Sequence, residues 1–124
     1  MTIFRYSLAI LAVAAPVLAE TVVTPGGLTL DMYAVIVEPD TGMARFRFMT
    51  PDLATIGADA AYPDMQWLCD TVALPELQAM GAATSQIIIT LSDRVVAQGT
   101  TDPGAVQYFE GYAIGSGTCV WEPY

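Results

Sequence analysis

The chain has no histidine and no lysine, and its whole positive charge is four arginines. It has two cysteines. These gaps exclude several chemistries. A nucleophilic serine or cysteine would lack its usual imidazole base. A structural zinc site wants four Cys or His ligands, and only two are present. No G-x-S-x-G, P-loop or dinucleotide fingerprint occurs. The nearest approach to a calcium loop is "EPDTG", Glu38 to Gly42, which reads better as a solvated hairpin turn. No metal and no cofactor is expected. The formal net charge is −9, so the surface repels phosphate backbones and nucleic-acid binding is excluded.

What is present begins with a leader. Arg5 precedes an apolar run from Leu8 to Val17, which exits through Val17-Leu18-Ala19. A basic start, a short apolar middle and a small-x-small exit read as a signal peptide cleaved after Ala19. A retained anchor helix is the rival, but the apolar run falls short of the roughly 20 residues a span needs. Glu20 rather than cysteine follows the cut, against a lipid anchor. The expected mature chain is periplasmic or secreted, without stable membrane association. It carries three arginines against thirteen acids, a net charge of −10. Residues 20–27 read as a loose lead-in, and 28–124 as one domain.

Export places the two cysteines in an oxidising compartment, where a pair in a small domain usually bonds. A redox site would want them two residues apart, whereas Cys69 and Cys119 are separated by fifty. They read as a structural disulfide. Closing such a loop contributes roughly 4 kcal/mol in the chain-entropy model.

Periodicity then supplies the elements. "LTLDMYAVIVE" (28–38) reads as a strand, "PDTG" as its turn, and "MARFRFM" (43–49) alternates with Ala44, Phe46 and Phe48 on one face. In the helical region 51–81, Met65, Leu68, Cys69 and Val72 form one stripe. Pro63 suits the first turn of that helix. Pro75 starts a second, ended by Gly81 in a left-handed cap. Strands follow at 86–91 and in "RVVAQG" (94–99), then a helical turn or two from Asp102-Pro103. "YFEGYAI" and "TCVWEP" flank "GSG" as a hairpin with a three-residue loop. The expected architecture is α+β: a mostly antiparallel sheet of five to six strands, with a helical layer on one face.

Few side chains stand out as a site. Arg45 and Arg47 lie two apart on one strand face and would converge on a carboxylate or phosphate, with Arg94 as a third arm. The competing reading is that they pair with the protein's own acids. Tyr108, Tyr112, Trp67 and Trp121 would line a patch or complete the core. Trp121 shares the face of Cys119 and is expected to pack beside the disulfide. Trp67 falls about 160° from Cys69 on the helical wheel, so it points away and is the better candidate for an outside contact.

The segments "ARFRF" (44–48), "DMQWLCD" (64–70), "SDR" (92–94), "TDPGAVQYFEGYAI" (101–114) and "GTCVWEPY" (117–124) resemble a small exported family of alphaproteobacteria, known only as a domain of unknown function. The resemblance covers nearly all of the mature chain. It implies a periplasmic location and brings no activity, cofactor or catalytic residue. The leading expectation is a non-enzymatic binding or accessory protein that meets another periplasmic protein. The alternative is a small anionic-ligand binder on the Arg45/Arg47 face. A carboxylate-based hydrolase ranks third, because it needs two acids facing each other in a cleft.

Overall fold

The computed structural model describes residues 20–123; the leader assigned to residues 1–19 lies outside the described residues. Six strands form one sheet: β1 Glu20–Val23, β2 Thr29–Glu38, β3 Met43–Met49, β4 Gln86–Ser92, β5 Gln107–Gly115 and β6 Thr118–Glu122. They lie side by side in chain order. All neighbours are antiparallel except β3 and β4. A parallel pair needs a long crossover, and here it carries every helix: α1 Leu53–Ile56, α2 Ala58–Leu68, a π-helical turn Cys69–Ala73, and α3 Leu74–Met80. The α+β architecture expected from periodicity is therefore the one observed.

Alternation in β3 decides which face meets the helices. Ala44, Phe46 and Phe48 are fully buried, and they pack with Ile87, Ile89 and Leu91 of β4 against Met65 and Leu68 of α2. At about 1.5–3 kcal/mol for each large apolar side chain taken from water, this seam is a substantial part of the folding drive. Cys69 continues the Met65–Leu68 stripe and is likewise fully buried.

The helical layer differs from expectation in one detail. Gly57, at φ +83°, ends α1 and lets the chain restart, so α2 begins at Ala58 and Pro63 lies inside it. An interior proline removes one helical hydrogen bond. The carbonyl it fails to serve belongs to Asp59, and both residues are exposed, so water can solvate the gap. At the second proline the helix widens instead. The Leu74 N–H reaches back to the Cys69 carbonyl, and Pro75 follows at the start of α3. A π turn spares the proline ring its clash with the carbonyl one turn earlier. Gly81, at φ +66°, gives the left-handed cap expected of it.

Four further expectations are corrected. Residues 20–23 are not loose: they form β1, paired with the start of β2. Its turn is tied to α2, where the buried Asp64 carboxylate accepts from the Thr24 hydroxyl (2.5 Å) and the Gly26 N–H (3.0 Å). "RVVAQG" is not a strand, and Asp102-Pro103 opens only a turn. Both belong to a loop, 93–106, that closes on itself through the Asp93 N–H to the Val106 carbonyl. The sheet pairing the 94–99 segment would have taken beside β4 is occupied by β5. Finally, the β5–β6 loop has two residues. Ser116 and Gly117 both take positive φ, as a tight primed hairpin turn requires.

Cys69 and Cys119 are bonded, their Cα atoms 6.1 Å apart. The bond ties the crossover to the sheet's last strand across a separation of fifty residues. Reduction is expected to lower unfolding free energy by roughly 4 kcal/mol, since loop closure is lost from the unfolded ensemble. Denaturant titration with and without reductant measures it, and an alkylation assay on the unreduced protein should find no free thiol.

Candidate functional site

The two-arginine face is covered. The loop 93–106 crosses it, burying Val96 and Arg47. The Arg47 guanidinium lies 5.5 Å from the centroid of the Tyr33 ring, and its Nη1 donates to Gln98 Oε1 at 3.0 Å. Tyr33 is offered this way by a bulge, where the β2–β3 register steps between Met32 and Ala34. Arg45 turns instead to Glu38, its Nε 3.2 Å from Oε2. Arg94 sits in the loop, holding Asp93 at 3.0 Å and the Gly104 carbonyl at 2.9 Å. The three arginines thus serve three separate internal contacts and do not converge.

The tryptophans exchange the parts the sequence suggested. Trp67 is half-buried and packs against the core. It follows Asp64, which holds the Thr24–Gly26 turn, by three residues on the same side of the helix. Trp121 does share the face of Cys119, but it projects past the staple and is 56% exposed.

Trp121 forms one wall of a cleft of about 510 Å³ between α2 and the β5–β6 hairpin. The helix contributes Asp59, Tyr62, Pro63 and Gln66, and the strands contribute Glu110, Tyr112 and Trp121. Asp59, Tyr62 and Gln66 fall at i, i+3 and i+7, one helical face. Tyr112 and Trp121 are direct cross-strand partners, a register set by the two-residue turn. The polar groups are arranged unequally. Gln66 uses its amide to donate to Asp70 Oδ2 (3.1 Å) and to the Cys119 carbonyl (2.9 Å). The Trp121 indole N–H donates to Glu110 Oε1. Pro63 has no N–H. The side-chain N–H donors of the lining are therefore used internally, which leaves carboxylate and amide oxygens and the Tyr62 and Tyr112 hydroxyls.

Tyr112 is the floor. Its side chain is almost wholly buried beneath the cleft. Burial, reinforced by the charges of Glu110 and Asp70, pushes its phenol well above the ordinary tyrosine value, so it stays protonated and neutral. Among the described residues, no group of three or more His, Cys, Asp or Glu is arranged to hold a metal. Sequence reasoning named Tyr112 and Trp121 but missed Asp59, Tyr62, Gln66 and Glu110. The i, i+3, i+7 spacing was the available signal, though it reads equally as a solvated helix face.

The loop has a pH signature. The hydrogen bond from Arg94 holds the Asp93 carboxyl below its ordinary 3.8, and Asp93 Oδ1 also accepts the Val106 N–H at 3.1 Å. A carboxylate depressed in the folded state anchors the loop above its unfolded pKa, and the anchor is lost as pH falls through the folded one. The Val106 amide shift should therefore titrate with a midpoint below 3.8, and Asp93→Asn should remove that titration. A midpoint at or above the ordinary value contradicts the assignment.

Among the described residues, no helix is long and apolar enough to cross a membrane. Searches of curated proteins and of solved structures find no match to the chain. One family model does match, over residues 8–124. By that match, the chain belongs to the family of unknown function DUF6497.

Proposed function

We propose that this is an exported, non-enzymatic protein of the alphaproteobacterial periplasm that works by docking another protein, and that docking occurs at the α2/β5–β6 cleft. Export is supported by the basic-apolar-small pattern ahead of Glu20 and by a disulfide, which persists in oxidising compartments. The carrying observation is the pair of exposed aromatics, Tyr62 at 43% and Trp121 at 56%, on opposite walls of one cleft. Phe46, Phe48 and Tyr112 are buried in the same small domain, whereas these two exposed rings line a single cleft, unlike Phe109, which is exposed outside it. Tyrosine and tryptophan are also the residues that dominate binding energy at protein interfaces.

The arginine face gives less support to an anion-binding role, because Arg47 is covered and engaged. A hydrolytic role would use Asp59 and Glu110, the two acids of the cleft. Asp59 is exposed, and Glu110 is half-buried and bonded to the Trp121 indole, so the two are not set facing each other in an enclosed pocket.

A photo-crosslinking amino acid at Tyr62, in cells exporting the protein, should give one discrete adduct of reproducible mass. The same group at Thr100, on the exposed loop, should not. No adduct at Tyr62, or the same adducts from both positions, would sink the docking reading.

A further inference from the structure

We infer that the cleft takes an arginine side chain of the partner, an inference that rests on the docking reading above and specifies its chemistry. The argument starts from what the cleft lacks. Its indole and amide N–H groups are already used on Glu110, Asp70 and the Cys119 carbonyl. The polar groups left in the lining are the Asp59 carboxylate, the second oxygen of Glu110, the Gln66 amide oxygen and the hydroxyls of Tyr62 and Tyr112. A ligand that mixes donors and acceptors evenly, such as a sugar, would find only the two tyrosine hydroxyls to serve its own acceptors. A group made wholly of donors matches, and a guanidinium presents five of them with no acceptor.

Shape and charge agree. A guanidinium is planar and stacks on aromatic faces, and the cleft has Trp121 and Tyr62 on opposite walls. Two carboxylates and no cation line the site, so the field there favours positive charge. The walls stay largely in water, unlike a pocket that encloses most of a small molecule. Such an open cleft suits the end of a long side chain borne on another protein. Pairing along β6 as an added strand is disfavoured, because both backbone groups of Cys119 are already taken, by Asp70 and Gln66.

The arginine comes from a different protein. The described chain has no lysine, and its three arginines each serve an internal contact. A second copy therefore has no uncommitted arginine to offer.

The test follows the Trp121 indole N–H resonance of the mature disulfide-bonded protein during peptide titration. The probe is acetyl-Gly-Arg-Gly-amide, set against its citrulline and lysine counterparts and against glucose. The arginine peptide should shift the resonance and bind roughly tenfold more tightly than citrulline, which keeps the shape but loses the charge. Lysine should fall between them, because a point charge stacks less well than a planar group. Glu110→Gln should weaken arginine binding by about tenfold. Asp59→Asn should weaken it too, and as an exposed residue without an internal hydrogen bond it leaves folding intact. Equal binding of citrulline, or a larger shift with glucose, overturns the inference. An unmoved resonance with the arginine peptide, alongside a persisting Tyr62 adduct, overturns arginine recognition and leaves docking standing. Loss of both overturns both.

Discussion

Everything on the functional side of this molecule depends on how its last strand is held. β6 has only β5 beside it in the sheet, and one side of an edge strand has no ladder to fix it. Here the crossover supplies the missing side. The disulfide fastens Cys119 to the π-helical turn at Cys69. The next residue of that turn, Asp70, accepts the Cys119 N–H at 2.8 Å, and Gln66 donates to the Cys119 carbonyl at 2.9 Å. One covalent bond and two hydrogen bonds thus meet on a single edge residue. The strand is closed to further pairing, and Trp121, two residues on and on the same face, stands at a set distance from α2. The cleft is the gap that this clamp holds open.

The opposite face of the sheet is closed by other means. A loop rather than a second helical layer covers it, and an arginine is buried beneath that loop. No carboxylate among the described residues lies within ion-pair distance of Arg47, although the chain carries thirteen acids. The Tyr33 ring and the Gln98 oxygen stand in. Guanidinium suits this role because it is weakly hydrated and stacks on aromatic faces. The same chemistry reappears, with the partners reversed, in the cleft: there the protein supplies the rings and oxygens, and the guanidinium is to come from outside.

How much was legible in advance varied with the kind of signal. The β2–β3 hairpin was clear because alternation is a two-residue period, unambiguous over seven positions of β3. The buried Met65–Leu68–Cys69 stripe was clear for the same reason at helical period. The loop 93–106 was misread because "RVVA" has strand propensity, and propensity yields to tertiary context when β5 takes the neighbouring position. β1 was missed because three of its four residues are exposed and Val22 alone, half-buried, carries no pattern. Trp67 and Trp121 were misassigned because a helical wheel or strand face gives direction but not coverage. Whether a residue pointing inward is covered depends on where the opposing element ends, and α2 ends its cover short of Trp121. The cleft draws on two elements whose mutual position follows from the disulfide, so no local pattern displayed it.

The clamp on Cys119 is the central claim, and residue-resolved amide hydrogen exchange tests it most directly. An outward-facing N–H on an edge strand exchanges readily. With its N–H donated to Asp70 and its own side chain bonded to Cys69, the Cys119 amide should instead exchange as slowly as the interior amides of β4. Exchange as fast as that of Trp121, the next outward-facing amide of this edge strand, would mean that β6 opens independently of the crossover, and the preformed cleft would not stand.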